Sequence, residues 1–244
     1  MRVVKYKALA KMHDLPFLDF YPKMDICVLQ GLICLEGPNF VGKTTSIPLL
    51  KNRLENRGYR VAVLKQPYDT ENVVKALNNI DYVREVKKSS HIYDLKQEVF
   101  RQDRYQVEQL IYSMKEEYDF ILLDRGEMST AVCQGSRYSF LTLQPQLTYT
   151  IVAENHNTLL ERSKTRENRG TLDPKDLELK YRNSTYSLYS SLLRDVFRNT
   201  KNQTFFTLPA ENDIETNLYH MEEGIMSYTS FCNEESNVGN LLIS

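Results

Sequence analysis

The sequence predicts an α/β fold, a five-stranded parallel sheet flanked by helices. From residue 32 onward short apolar runs alternate with longer polar segments of helical period, the pattern of strands and helices in a parallel sheet. A glycine-rich turn separates the first of these runs from the first helical segment. The 244 residues, 41% of them hydrophobic, are enough to bury one such sheet in one domain.

Each element has its own signature. "GLICLEG" (31 to 37) reads as a buried strand, and "KTTSIPLLKNRLENRG" (43 to 58) as the helix after it, stopped by Gly58. Pro48 is expected to bend that helix or to delay its regular start. "YRVAVLKQP" (59 to 67) is a second strand, closed by a proline that cannot extend a ladder. "IYDLKQEVFRQDRYQVEQLIYSMKEE" (92 to 117) is a long helix, with Leu95, Val99, Val107, Leu110, Ile111 and Met114 at helical spacing. "YDFILLDRG" (118 to 126), "LTYTIVAE" (147 to 154) and "TFFTLPA" (204 to 210) complete the strands. Between 159 and 197 the pattern is helix, basic loop around Gly170 and Pro174, and helix. Residues 1–30 form an extension, 31–228 the domain, and 229–244 a tail without clear periodicity that is expected to be mobile.

Composition narrows the partners. Thirty-one basic residues against 32 acidic ones leave a net charge of -1, which favours neither nucleic acid nor an anionic membrane as the main partner. No apolar run approaches the 18 residues or so of a membrane span. Cys27, Cys34, Cys133 and Cys232 have no paired spacing, so reduced thiols in a cytoplasmic protein are expected. The four histidines show no ligand spacing, and no structural metal site is expected.

The turn between the first strand and helix carries Gly37-x4-Gly42-Lys43-Thr44, the spacing of a phosphate-binding P-loop. Glycines let successive N–H groups converge on phosphate oxygens, Lys43 adds a point charge, and the Thr44 hydroxyl suits Mg2+. Thr45 extends the same cradle. This loop serves hydrolases, transferases and switches alike, so the reaction must be read elsewhere.

Ligands of open parallel sheets gather beyond the carboxyl ends of the strands, and three segments belong there. In "DRGEMSTAVCQG" (124 to 135), Asp124 can hold Mg2+ and Arg125 offers a fork suited to a phosphate. Ser129 with Cys133, and Thr130 with Gln134, share faces if the turn is helical, either to read a base edge or as a solvated helix start. In "VFRQDRYQ" (99 to 106), Phe100 and Arg104 project from one side of the helix. They suit a stacked base and its carbonyl, or else core packing and a surface ion pair with Glu108. Arg162, Arg166 and Arg169 form either a solvated face or a lid that closes over phosphates.

Together these four motifs resemble thymidylate kinases, in the right order over roughly residues 31 to 210. "LEGPNFVGKTT" is similar to the family's P-loop, "FRQDRYQ" to its base-stacking segment, "DRGEMSTAVCQG" to its Asp-Arg element, and "RGTLD" (169 to 173) to its lid. The resemblance implies a P-loop nucleoside-monophosphate-kinase-like fold with a lid at about 162–175, using ATP and Mg2+, and commonly homodimeric. It also implies that Phe100 stacks on thymine, Arg104 contacts the base, and Arg125 holds the acceptor phosphate beside Ser129, Thr130 and Gln134. Positions 38 to 41 hold no Arg, so the chain looks like the branch whose catalytic Arg is in the lid: Arg169, then Arg166, with Arg162 flanking the adenine. Three positions depart from the family: Asn39 for an Asp near the acceptor sugar, Lys65 for an Arg, and Cys133 for an aromatic gate against the ribose 2′-OH.

A deoxynucleoside kinase would need a carboxylate after the second strand to take the hydroxyl proton. There the chain has Gln66 and Pro67, with Asp69 and Glu71 a few residues on.

Overall fold

The computed structural model describes residues 3–6, 26–87, 92–126, 129, 143–153, 156–168 and 204–241. Five strands run parallel: β2 (Ile26–Glu36), β3 (Val61–Lys65), β4 (Phe120–Asp124), β5 (Leu143–Val152) and β6 (Thr204–Pro209), in the order β3-β4-β2-β5-β6. The five predicted parallel strands are all present. To them the structure adds a sixth, β1 (Val3–Tyr6), antiparallel to β2.

The addition has a simple cause. β2 is 11 residues long, and β4 pairs only with its second half, Leu32 to Leu35. β5 covers the other side of β2, so β1 takes up the backbone groups of Ile26 to Leu29 that β4 does not reach. The domain boundary expected at residue 31 therefore falls inside β2.

β5 also starts earlier than its apolar run suggests, because the chain accommodates Pro145 at an irregularity. The β2–β5 register shifts between Leu29 and Ile33, Pro145 stands opposite Leu29, and the Gln146 side-chain oxygen takes the Gly31 N–H at 2.7 Å.

Helices α1 (Lys43–Asn56), α2 (Thr70–Lys87), α3 (Ile92–Met114), α4 (His156–Asn168) and α5 (Ile214–Leu241) connect or follow these strands. α1 runs through Pro48 from its first residue, so the late start expected there does not occur. It ends where predicted: Gly58, at φ 90°, donates to Glu55 O, and Tyr59 N–H reaches back to Leu54 O. α2 and α5 were not predicted, and α5 continues to Leu241 through residues that show no clear periodicity.

Strand alternation divides the core in two. Ile33, Leu35 and Leu122 face α1 and α5, packing with Leu50, Leu54, Leu218 and Met221. Leu32, Cys34, Leu64, Ile121 and Leu123 face α3, packing with Val107 and Ile111. Fully burying each such side chain contributes about 1.5–3 kcal/mol, so the two layers fix the strand ends against both helical faces. The chain winds to one side of β2 for β3 and β4 and to the other for β5 and β6. Ligands of such sheets bind at the carboxyl end of the strand where winding reverses, which here is the end of β2.

Candidate active site

The P-loop leaves β2 at Glu36 and enters α1 at Gly42, the helix N-cap, with φ 105°. Gly37 has φ 135°, and a Cβ there would lie 2.2 Å from the Ile151 carbonyl oxygen, so only glycine seats the loop against β5. Phe40 and Val41 anchor the loop from below by packing into the α1-side core. Phe40 adopts φ 71°, a left-handed conformation costly for an aromatic residue and held here by its burial. The Lys43 ammonium is buried inside the curl, donating to Gly37 O at 2.6 Å and Pro38 O at 2.8 Å. Thr44 and Thr45 are exposed at the first turn of α1, where the helix dipole favours an anion.

Arg125, the first residue after β4, organises the other half. It has φ 71°, its N–H donates to Leu35 O, and its guanidinium bridges two other predicted residues. One Nη donates to Asn39 Oδ1 of the P-loop, the other to Ser129 Oγ at 3.2 Å. Asn39, Arg125 and Ser129, assigned to the acceptor from two separate stretches, are thus brought together.

Beneath them lies Glu36, which the sequence reading passed over. It is 1% exposed, and its carboxylate accepts Gly126 N–H at 2.8 Å, Ser129 N–H at 3.2 Å and the Ser129 hydroxyl at 2.5 Å. Each of these three donors belongs to the turn that carries Arg125 and Ser129. A carboxylate closing an otherwise apolar strand, immediately before the loop glycine, was the signal that could have found it.

On α3, Arg104 is 4% exposed and Glu108 is also buried, so neither is a surface charge. Arg104 Nε donates to the Phe100 carbonyl at 3.3 Å, which directs the guanidinium back along the helix toward Phe100. Phe100 is half-buried and belongs to neither core cluster among the described residues. The neighbouring Asp103 fastens this segment to the loop after β3, accepting the N–H groups of Tyr68 at 2.8 Å and Asp69 at 3.1 Å. Burial pushes the Asp103 carboxyl above the usual carboxylate range, and the two N–H donors and Arg104 pull it partly back. Lys65 is exposed at the end of β3, in register with Asp124.

Of the basic cluster, Arg162 lies on α4 and grips the outer side of the P-loop. It donates to Phe40 O at 3.2 Å, Val41 O at 3.3 Å and Ala210 O at 2.6 Å, tying the loop to the turn after β6. Arg166 follows one turn later on the same helix. Arg169, Thr130, Cys133, Gln134 and the rest of the lid lie outside the described residues.

The oxygen groups suit Mg2+. Asp124 Oδ1 is buried with no hydrogen-bond partner among the described residues, and the Thr44 hydroxyl is exposed at the start of α1. No group of three or more His, Cys, Asp or Glu that could hold a metal occurs among the described residues. Mg2+ commonly takes one or two protein ligands and completes its shell with phosphates and water.

A phosphate loop after the switch strand, with an Asp-Arg pair at the next strand end and a basic helix against the loop, defines a P-loop nucleotide kinase fold. The family model described as Thymidylate kinase matches residues 35–218. The chain belongs to the thymidylate kinase family, ATP-using phosphotransferases that act on nucleoside monophosphates. Comparison with curated proteins finds no match.

Proposed function

We propose that the protein transfers the γ-phosphate of ATP to dTMP, giving dTDP and ADP, with Mg2+ as cofactor. The observation that carries this reading is the Arg125 guanidinium, held between Asn39 of the P-loop and Ser129 at the sheet edge, where it can clamp an acceptor phosphate facing the donor. Phe100 stacks on the base and Arg104 donates to its carbonyl, while Thr130 and Gln134 line the same pocket. Gly37, Gly42, Lys43, Thr44 and Thr45 hold the ATP phosphates, and Arg162 flanks the adenine. Mg2+, held by Thr44 and Asp124, supplies charge neutralisation at the donor phosphates. Lys43 and Arg125 hold the two substrates in line, and Arg169 with Arg166 supports the charge that develops as an acceptor oxygen bonds to the γ-phosphorus and the bond to ADP breaks.

The acceptor oxygen is already anionic, so no side chain need take a proton. This agrees with the end of β3, where Gln66 is neutral and the nearby carboxylates are otherwise engaged. Asp69 caps α2 through Asn72, and Glu71 pairs with Lys75, both exposed. The deoxynucleoside kinase reading is weaker for that reason. A cytoplasmic homodimer completes the proposal, and sedimentation velocity at twice the chain mass is its expected result.

The decisive assay supplies ATP and Mg2+ with dTMP, dUMP, dCMP or thymidine and follows product by chromatography. Diphosphate formed fastest from dTMP is expected. Turnover of thymidine alone, or no diphosphate from any acceptor, overturns the proposal.

A further inference from the structure

Gln66, the residue after β3, is only 9% exposed, yet neither its side-chain oxygen nor its nitrogen has a hydrogen-bond partner among the described residues. A buried amide in that condition is costly unless something else completes it. Its place in the sheet shows what that is. Its backbone N–H donates to Asp124 O at 2.9 Å, and Lys65 is in register with Asp124, so Gln66 stands beside Arg125 at the carboxyl edge. Alternation along β3 puts Gln66 on the side of Ala62 and Leu64, which face Val107 and Ile111 of α3. Asp103, one turn before Val107, holds the loop just beyond at Tyr68 and Asp69. Gln66 is therefore level with the turn of α3 that carries Arg104, between the groups read above as phosphate clamp and base contact.

The two amide atoms restrict the ligand. A phosphate only accepts, so it would complete the nitrogen and leave the oxygen unpaired. A group that donates and accepts at once completes both. We propose that Gln66 is a specificity-determining residue of the acceptor site, whose amide pairs with such a group on the acceptor nucleotide, either a sugar hydroxyl or the N–H/C=O edge of the base. This inference rests on the kinase reading and extends it to a residue with no assigned role. Because an amide can turn to present either order of donor and acceptor, Gln66 rewards the presence of the pair rather than one fixed orientation.

The test compares the parent with Gln66→Leu on dTMP, its N3-methyl analogue and its 3′-deoxy analogue. The parent is expected to lose roughly tenfold or more in kcat/KM on the analogue that lacks the paired group. Gln66→Leu should erase that penalty, using dTMP and that analogue within about twofold of each other, with the KM for ATP also within about twofold of the parent. Which penalty vanishes identifies hydroxyl or base edge. Removing an incompletely bonded buried amide should also leave the melting temperature no lower than the parent's, whereas a purely structural glutamine would lower it. Unchanged discrimination in the variant, no discrimination in the parent, or a lower melting temperature each overturns the inference while the kinase reading stands. A parent that phosphorylates no monophosphate overturns both together.

Discussion

Glu36 and Ser129 lie 93 positions apart in the chain, and the Ser129 hydroxyl donates to Glu36 Oε2 at 2.5 Å. The other carboxylate oxygen holds Gly126 and Ser129 N–H, so one buried side chain shapes the turn from which Arg125 extends. Glu36→Ala leaves two buried N–H groups without acceptors, at about 1–3 kcal/mol each. We expect a fall in melting temperature and an acceptor KM raised about tenfold, with the KM for ATP little changed. Glu36→Gln, which keeps an acceptor oxygen, should recover most of the stability. Parallel loss of both KM values would show that Glu36 supports the fold rather than the acceptor side.

Lys43 contributes a buried charge at the centre of the phosphate loop. Lys43→Ala should lower kcat by about 10²–10³-fold, the usual cost of removing one donor from a preorganised anion site. ADP release in a coupled assay measures it, and a loss under about fivefold would mean that the backbone N–H groups suffice.

Phe100 and Arg169 are expected to separate binding from chemistry. Phe100→Ala should raise the acceptor KM about tenfold through lost stacking on the base. Arg169→Ala should lower kcat by about 10³-fold, as loss of a lid arginine removes support for charge in transit. Equal effects of both variants on both parameters would refute the division.

Two helix caps make stability fall in acid. The Asp69 carboxylate accepts from the Asn72 side chain and N–H, and Asp213 from the Thr216 hydroxyl and N–H, which holds both below the usual carboxylate range. A lowered folded value means stability present above the unfolded value of about 3.9 and lost as pH falls through the folded one. Asp103 runs the other way: its raised value favours the folded protein as pH falls. Melting curves from about pH 6 to 3 should drop less steeply for Asp213→Asn, which keeps an oxygen at the cap without titrating. Identical slopes would assign acid sensitivity to other groups.

What the sequence made legible is what neighbouring residues decide. The P-loop needs only a strand, two spaced glycines and a helix in succession, and the unbroken apolar run from Phe120 to Leu123 marks β4 without outside help. β1 was not legible because its partner is about 20 residues away and its purpose is to complete a ladder that β4 leaves short. Nor was the early start of β5, where the register shifts beside Pro145 and the Gln146 side chain accepts the Gly31 N–H. The residues grouped around Arg125 could be named, but not the bonds that join them, because Asn39 and Arg125 are 86 positions apart. Arg104 was open between a base contact and a surface pair with Glu108 one turn on, and only the packing of α3 on the sheet shows that both are buried.

Glu36 fixes the turn that presents Arg125, the acceptor clamp we propose, and its covalent neighbour Gly37 opens the loop proposed to cradle the donor. Tilting or shearing of the sheet would therefore tend to move both together. An in-line reaction tolerates motion of the whole site but not of one reactant against the other. With both proposed subsites rooted in Glu36, the last residue of β2, and in the glycine that follows it, motion shared by the sheet would drop out of the distance that matters.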